Sequence, residues 1–452
     1  MTAERKNSSL IMKSLGFQGK EHTDSKTILW KKGQLWVVNC CRFVLAVVFI
    51  FSGFVKGIDT MGFSYKIGDY IRAFGFSNWL PGFSDIVLSF FVSTLEFSLG
   101  MLMLFGIKRR ATTRYTFWLL CLMTLFTFYV VVANPVSHCG CFGDAIVLTN
   151  IQTFLKNIVL LAISFIVYRY HETIRFLLSK HVEWIVWRYV VVFSLILWGW
   201  CYHHLPIIDF RPYHIGVNMP EAMGLKPTDK PLSIIDFYAE DPANEVDVTE
   251  KIVNQEGYTI LLVSPKLEGA SEQHIDLINE LYDYCLKNEI PFYCLTSSEK
   301  EERLDWEDRT GAEYPVYVGD YLGLKTMIRS NPGLVVLKDG NIVNKVANSD
   351  IPDEYELQED INLLPLFHGD VVSLGRLLGT LFLWFFGPLI LVLMLDRFLI
   401  YRHRHKMEIA KAEEIQKEAA SVEQNAITEE DRSKVISEKC EMPQEEEKNE
   451  KN

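Results

Sequence analysis

Two cysteines separated by a single residue are the strongest chemical signal in this sequence. Cys139 and Cys141 lie in the stretch HCGCFGD, residues 138–144. A disulfide that closes so small a ring is strained, and strain makes it exchange more readily than a structural disulfide does. The glycines of the stretch allow the backbone dihedral angles that a tight ring requires. The pattern therefore predicts an exchange-competent pair, with Cys139 and Cys141 as catalytic residues.

Other interpretations of this motif stay open at the level of sequence. The cysteines could form a static disulfide, or they could remain reduced as two small residues. They could also bind a metal together with His138. Two thiolates and one imidazole this close in sequence do not easily close a tetrahedral zinc site, so we predict no metal.

Glu96 is the third candidate catalytic residue. It lies about ten residues into an apolar stretch, roughly 15 Å deep by helical rise. A carboxylate inside a membrane is costly to bury, and such residues usually mark functional sites. Glu96 could relay a proton, or it could simply form a hydrogen bond within a helix bundle.

The remaining cysteines fit other roles. Three of them lie in apolar stretches and are expected to pack against lipid or neighbouring helices: Cys40, Cys41 and Cys121. Cys201 ends another apolar stretch and could approach the motif. Cys285 and Cys294 are expected to be buried thiols or to form a local bridge, whereas Cys440 in the charged tail should stay reduced.

Six apolar stretches predict the membrane-spanning helices that would position these residues. The chain is 49% hydrophobic and 13% aromatic, which is too apolar for one soluble domain of 452 residues. The stretches are 36–55, 86–107, 115–133, 151–168, 185–200 and 377–400. Each has roughly 16 to 24 residues, enough to cross a bilayer as a helix. Because the first follows a long polar segment, we expect it to be an uncleaved anchor.

The distribution of charge predicts the orientation of the chain. Clusters of Lys and Arg follow the second, fourth and sixth stretches, at 108–114, 169–188 and 397–406. By the positive-inside rule, both termini are cytoplasmic and residues 203–374 are periplasmic in a bacterial inner membrane. The net charge of −12, with 14 acidic and 7 basic residues in 407–452, argues against nucleic acid as a partner.

These patterns divide the chain into six segments, with the lipid bilayer as a partner of three of them. They are a cytoplasmic segment 1–35, a four-helix membrane bundle 36–168, a fifth transmembrane helix 185–201, a periplasmic domain 203–374, a sixth helix 377–400 and a charged cytoplasmic tail 401–452.

The periplasmic domain is predicted to have an α/β fold, because short β-rich stretches alternate with amphipathic helical ones. The expected elements are strands at 258–263, 291–295 and 315–318, a helix at 272–288, and a hairpin of 334–337 with 342–346. The hairpin turns at residues 338–341, whose sequence KDGN favours a tight turn.

This order of elements resembles the thioredoxin fold over residues 248–347, particularly the branch of TlpA and the peroxiredoxins. The resemblance implies a cis-proline before the hairpin, and Pro332 lies at the matching position. It also implies a Cys-x-x-Cys motif after the first central strand. Residues 264–269 read SPKLEG and contain no thiol, so the domain is expected to be redox-inactive by itself.

Three stretches of the bundle carry a second resemblance: RFVLAVVFIFSGFVKGID at 42–59, EFSLGMLMLFG at 96–106, and CGCFGD followed by LTNIQTFLKN. Over about residues 37–168 the chain resembles DoxX/MauE-like membrane proteins, in the Bacteroidetes form with a fused outer domain. The resemblance implies disulfide formation or maturation of a periplasmic partner. It also implies a bundle similar to DsbB and vitamin K epoxide reductase, with quinone as the candidate electron acceptor.

The resemblance does not identify residues for every step of electron transfer from the outer thiols to quinone. A second thiol pair or a direct route to quinone is needed, and the cysteines within the spans lie too deep to exchange with an outer loop. Lys56 and Asp59 follow the family pattern, although Thr60 replaces its usual proline, and we assign them only an interfacial or ion-pairing role. Residues 61–79 are expected to form a surface amphipathic helix, with quinone docking behind it near Phe74.

Two functions follow from these patterns. The first is periplasmic thiol/disulfide handling by a thiol-disulfide oxidoreductase, in which the outer domain binds a client protein. The second is a non-catalytic scaffold that links a periplasmic partner to a cytoplasmic one. Transport is disfavoured because neither paired repeats nor broken helices are visible.

Overall fold

The computed structural model describes most of the chain from residue 25 onward. The described residues are 25–136, 140–174, 178–179, 182–229, 231–235, 237–358, 361, 363–369 and 374–440. The chain forms two compact units, one reaching Phe382 and the other beginning at Leu383. His138 and Cys139 of the cysteine motif lie outside the described residues.

The described residues contain six helices that are long and apolar enough to cross a membrane, which confirms the predicted multi-pass architecture. The described chain begins with α1 (Ser25–Ile58) and the short helix α2 (Thr60–Ala73), which is not a candidate span. The next four candidate spans are α3 (Ser84–Phe105), α4 (Arg109–Ala133), α5 (Asn150–Arg169) and α6 (Glu183–His203). Most of these helices extend beyond the apolar stretches into flanking polar residues, whereas α3 ends at Phe105 because Gly106 adopts a left-handed conformation.

Helix α2 covers part of the segment predicted to lie at the membrane surface. Asp59 caps its first turn, because its carboxylate accepts a hydrogen bond of 2.9 Å from the backbone N–H of Gly62. The helix ends at Ala73, two residues before Gly75 adopts a φ of +74°. Just beyond it, the ring of Phe74 stacks on Tyr129 of α4 with a centroid distance of 5.1 Å.

The α/β domain follows α6 and contains a seven-stranded sheet. Its elements are α7 (Met219–Ala222), β1 (Ala239–Asp241), β2 (Val246–Asp247), α8 (Thr249–Val253), β3 (Tyr258–Ser264), α9 (Ile275–Lys287), β4 (Phe292–Thr296), α10 (Lys300–Thr310), β5 (Val316–Gly319), α11 (Tyr321–Met327), β6 (Gly333–Lys338) and β7 (Asn341–Ala347). The strand order is β2-β1-β5-β4-β3-β6-β7.

The arrangement of the central strands is that of the thioredoxin fold. Strands β3 and β4 are parallel, β6 lies antiparallel against β3, and β7 lies antiparallel against β6. The peptide bond between Asn331 and Pro332, immediately before β6, is cis. The fold and the cis-proline are as predicted, whereas β1 and β2 were missed because they have only three and two residues.

The sheet separates two hydrophobic cores. In β3, Ile260 and Leu262 contribute to one core, and Leu261 and Val263 contribute to the other, because alternate side chains point to opposite faces. All four are fully buried. This explains why the sequence of β3 is a continuous apolar run, as expected for a central strand covered on both faces.

The last helix, α12 (Leu374–Cys440), contains 67 residues and carries Pro388 within it. The second compact unit begins within this helix, at Leu383. Residues 401–417 are exposed, as expected for a segment rich in charged side chains.

Candidate functional site

Glu96 lies in α3 and forms a buried ion pair with Lys56 near the end of α1. The ammonium of Lys56 is 2.8 Å from each carboxylate oxygen of Glu96. Only 5% of the Lys56 side chain and 9% of the Glu96 side chain are exposed. Two opposite charges at this depth stabilise each other, because either one alone would remain uncompensated in a medium of low polarity.

Ser52 connects this ion pair to the cysteine motif. Its hydroxyl oxygen lies 2.7 Å from a carboxylate oxygen of Glu96 and 2.9 Å from the backbone carbonyl oxygen of Cys141. A hydroxyl has one proton but can also accept, so Ser52 can donate to either oxygen. When Glu96 is protonated, it can donate to Ser52 while Ser52 donates to the carbonyl of Cys141. A hydrogen-bonded path therefore leads from the carboxyl group to the motif.

Glycines bring α1 and α3 close enough for these contacts. A Cβ at Gly53 would lie 2.8 Å from both the Cα of Phe97 and the carbonyl oxygen of Ser93. A Cβ at Gly100 would lie 2.6 Å from the backbone nitrogen of Ile50. Small residues of this kind allow the backbones of membrane helices to approach each other closely.

We expect Gly53→Ala to separate α1 from α3 and to disturb the Lys56–Glu96 pair. Overpacking of this kind costs about 1 to 3 kcal/mol, and it should lower the thermal unfolding midpoint of the purified protein. Gly33→Ala is the matched control in the same helix, because no atom lies within 4 Å of a Cβ at that position. Equal effects of both substitutions would show that the close approach at Gly53 is unimportant.

A small cavity lies beside the ion pair and the motif. Its volume is about 40 Å³, and its lining includes Glu96, Lys56, Cys141, Phe142 and Lys156. This volume is enough for a few water molecules, which could extend the hydrogen-bonded path. The ammonium of Lys156 lies 4.2 Å above the ring of Phe142. The described lining residues include two cationic groups, Lys56 and Lys156, and one carboxylate, Glu96. This excess of positive charge favours an anion such as a thiolate.

The described part of the motif loop is held at both ends by side chains. The amide nitrogen of Asn150, at the start of α5, donates to the carbonyl oxygen of Val136 and to the side-chain oxygen of Asn134, both at 2.9 Å. Gly140 and Gly143 have φ angles of +68° and +54°, in the region that favours glycine. Cys139 and His138 lie outside the described residues, so the disulfide and the metal site considered for them stay predictions.

The α/β domain contacts the motif through Arg329. Its guanidinium binds Asp59, after α1, with distances of 3.0 to 3.2 Å. It also binds Asp144 of the motif at 2.8 Å. The Arg329 side chain is 7% exposed. Because Asp144 follows Cys141 by three residues, the loop and the α/β domain lie at the same end of the bundle, as the sequence predicted for the two segments.

Aromatic and charged groups surround this contact. Tyr65 of α2 lies beneath both the ammonium of Lys325, at 3.6 Å from the ring centroid, and the guanidinium of Arg329, at 5.6 Å. Burial raises the pKa of Tyr65 to about 12, so its hydroxyl stays neutral at physiological pH. Burial opposes the charge of Arg329, but Asp59 and Asp144 raise its pKa above the usual value. The contact is therefore a fixed ionic link under ordinary conditions.

The position at which a thioredoxin carries its cysteines contains a hydrogen-bond network here. Ser264 donates to the side-chain oxygen of Asn331 at 2.7 Å, and the amide nitrogen of Asn331 donates to the carbonyl of Lys266 at 2.9 Å. Asn331 precedes the cis-proline and thus joins that loop to residues 264–266. This network supports a structural or binding role of the loop without any thiol.

The other described cysteines have settings that disfavour thiol exchange in the α/β domain. Cys285 and Cys294 are buried and are not joined by a disulfide. Burial raises the pKa of both thiols to about 12, so neither forms the reactive thiolate near neutral pH. They are buried core thiols, and the local bridge that the sequence also allowed is wrong. Cys201 is buried at the end of α6.

Comparison with known proteins finds a family model that matches the bundle. Residues 34–169 match the model of methylamine utilisation protein MauE. The bundle is MauE-like. The match covers α1 to α5 of the chain, including Glu96, Lys56, Ser52 and the cysteine motif, and the MauE-like bundle is followed by the thioredoxin-like domain that the strand order defines.

Two further comparisons add little to this assignment. No curated protein matches the chain. Among solved structures, the chain is similar to the solution structure of a proposed protein disulfide isomerase from Bacteroides thetaiotaomicron, with 19% identity over 30% of this chain and 87% of that chain. The TM-score is 0.22, so this likeness supports no conclusion about fold or function.

Several residues of the site were missed or undervalued in the sequence. Lys56 had been assigned only an interfacial or ion-pairing role, and Ser52, Lys156 and Arg329 had no assigned role. Three of them could have been found from the sequence. Ser52 and Lys56 are one helical turn apart, so they lie on the same helix face, and Lys156 is a charged residue within an apolar stretch. Arg329 gave no such signal, since it pairs with residues 270 and 185 positions away.

Proposed function

We propose that this protein oxidises or isomerises thiols of periplasmic client proteins through Cys139 and Cys141. In this proposal the protein resides in the bacterial inner membrane, and both termini are cytoplasmic. Quinone is the electron acceptor, Glu96 handles protons, and the thioredoxin-like domain binds the client without reacting. The MauE-like bundle and the thioredoxin-like domain are consistent with a role in thiol handling.

One observation carries the proposal. The buried Glu96–Lys56 ion pair is connected through Ser52 to the backbone carbonyl of Cys141. A buried charged pair is expensive, and a purely structural contact between helices could use apolar side chains instead. Because the ion pair is connected to the motif, Glu96 can take part in the reaction of the thiols: thiol oxidation releases protons, and a carboxylate can accept them.

The proposed cycle has two balanced steps. In the first, a client dithiol attacks the Cys139–Cys141 disulfide through a mixed disulfide, which leaves an oxidised client and a reduced motif. In the second, a quinone held near Phe74 would accept two electrons and two protons from the reduced motif, which would reform the disulfide and yield a quinol. In this proposal Glu96 accepts one of these protons through Ser52. Lys156, which lines the same cavity as Cys141, stabilises the thiolate of Cys141.

The redox state of the motif in cells tests this proposal. Cys139 and Cys141 would be alkylated in living cells with and without respiratory quinone and then quantified by mass spectrometry. We expect the pair to accumulate as thiols when quinone is depleted and to return to the disulfide when quinone is restored. Serine at both positions should abolish client oxidation, whereas serine at Cys40 and Cys41, another close pair, should leave it unchanged.

A non-catalytic scaffold is the alternative, and the absence of thiols from residues 264–269 favours it. Under that function the thioredoxin-like domain would bind a periplasmic partner, and the charged tail after residue 401 would bind a cytoplasmic one. A motif that keeps one redox state whatever the quinone supply, together with tolerance of serine at both cysteines, would establish the scaffold and exclude the oxidoreductase.

A further inference from the structure

A larger cavity, separate from the cysteine motif, lies where the α/β domain joins the membrane helices. Its volume is about 600 Å³, which is in the range of ligand-binding cavities. It is lined by residues that directly follow α6, by Lys345 of β7, and by Leu374 and Leu377 in the first turn of α12. Both α6 and α12 are candidate membrane spans, and the cavity lies beside the last residues of α6 and the first turn of α12.

Three charged groups line this cavity. The carboxylate of Asp209 accepts hydrogen bonds from the guanidinium of Arg211 at 2.7 and 3.0 Å and from the ammonium of Lys345 at 2.7 Å. The Arg211 and Lys345 side chains are 3% and 4% exposed. Two cations thus share one carboxylate, and the described lining residues carry one excess positive charge when His214, also among them, is neutral.

Lys345 has unused capacity to donate hydrogen bonds. An ammonium has three protons, and among the described residues Asp209 is its one hydrogen-bond acceptor. Arg211, in contrast, uses further donors on the carbonyl oxygen of Thr326, at 3.0 Å. Burial lowers the pKa of Lys345 to about 8, together with the charges of Arg211 and Arg329, whereas Asp209 raises it.

The other walls are apolar. They include Phe210, Ile207 and Leu205 on the side of α6 and Leu374 and Leu377 on the side of α12. The cationic groups of this cavity match a negatively charged headgroup, and its apolar walls match a hydrocarbon chain. The cavity therefore complements an amphiphile. A hydrophilic anion alone would leave the apolar walls uncovered, and a neutral hydrocarbon would offer no acceptor to the remaining N–H groups of Lys345.

We infer that this cavity binds a membrane lipid with an anionic phosphate headgroup. The phosphate oxygens accept hydrogen bonds from Lys345, and the acyl chains lie against Leu374 and Leu377 before entering the bilayer. The site does not depend on the thiol chemistry proposed above, because none of its lining residues belongs to the cysteine motif or to the Glu96 cavity.

Native mass spectrometry of the full chain tests this inference, with phosphatidylglycerol and phosphatidylcholine as the probes. We expect the wild-type protein to retain one phosphatidylglycerol in preference to phosphatidylcholine. Lys345→Met should weaken that preference by about tenfold, the equivalent of one charge-assisted hydrogen bond. Arg211 continues to pair with Asp209 in this variant. Lys338→Met, an exposed lysine of the same hairpin, is the control and should bind as the wild type does.

A second variant keeps the inference testable if Lys345→Met fails to fold. Leu377→Trp fills the cavity from the side of α12 and keeps all three charges, so it should also exclude the lipid. Equal retention of both lipids, or wild-type retention by Leu377→Trp, would overturn the inference. Stabilisation of delipidated protein by inorganic phosphate without any retention of lipid would also overturn it, because the ligand would then be a free anion.

Discussion

Replacement of Glu96 by glutamine should be among the most damaging single substitutions in this protein. It leaves the ammonium of Lys56, 5% exposed, without an opposing charge between α1 and α3. Removal of one partner of a buried ion pair typically costs about 3 to 5 kcal/mol. We expect a clear fall in the thermal unfolding midpoint of the detergent-purified protein and the loss of reoxidation of Cys139 and Cys141.

A double variant separates the structural role of Glu96 from its chemical role. Glu96→Leu combined with Lys56→Met removes both charges, and such replacements are often neutral or stabilising. The double variant should therefore regain most of the stability but not the reoxidation of Cys139 and Cys141. Full reoxidation in the double variant would show that the carboxylate handles no proton. Asp69→Asn, which breaks an exposed ion pair with Arg72, should cost at most about 1 kcal/mol and serves as the control.

The helices and the sheet could be predicted because their signals are local. A run of about twenty apolar residues has few alternatives to a membrane helix, and the continuous apolar sequence of β3 identifies a central strand. The turn sequence at residues 338–341 likewise fixed the hairpin, and Asp339 and Gly340 there adopt positive φ angles. The helix expected over 61–79 was predicted too long, since it ends at Ala73.

The site was less predictable because its contacts depend on how helices and domains pack. The sequence identified Glu96 as unusual but did not show that it faces Lys56, 40 residues earlier. That pairing depends on the close crossing at Gly53 and Gly100. Their small size was visible in the sequence, but the partner of each glycine was not. The contact of Arg329 with Asp59 depends on the docking of an entire domain, which no local pattern encodes.

The ionic link made by Arg329 should respond to pH in a direction that follows from the pKa of Asp59. Burial alone would raise the pKa of this carboxyl, but the guanidinium groups of Arg329 and Arg211 lower it below its usual value of 3.8. A carboxyl whose pKa is lower in the folded state stabilises that state above the unfolded pKa. Its contribution is lost as the pH falls through the folded value. The link should therefore persist at neutral pH and fail only below about pH 3.8.

Arg329→Gln should release the α/β domain from the motif at neutral pH. The substitution leaves Asp59, 15% exposed, facing Asp144 without the cation that now lies between them. Loss of a largely buried partner of this kind costs about 3 to 5 kcal/mol, enough to expose the junction to proteolysis. Limited proteolysis of the purified protein should show faster cleavage near Arg329, and thiol exchange with a client should slow. Arg309→Gln removes an exposed guanidinium from the same domain and should change neither readout.

Two companion substitutions show whether geometry or charge maintains this link. Arg329→Lys keeps the positive charge but cannot bind Asp59 through two nitrogens and Asp144 at the same time, so its effect should be intermediate. Asp144→Asn removes only the bond to the motif and leaves the pair with Asp59 intact. If Asp144→Asn slows client exchange without increasing proteolysis, then Arg329 acts by positioning the motif loop beside the client-binding domain. Wild-type exchange in both Asp144→Asn and Arg329→Gln would mean that the two domains work without this contact.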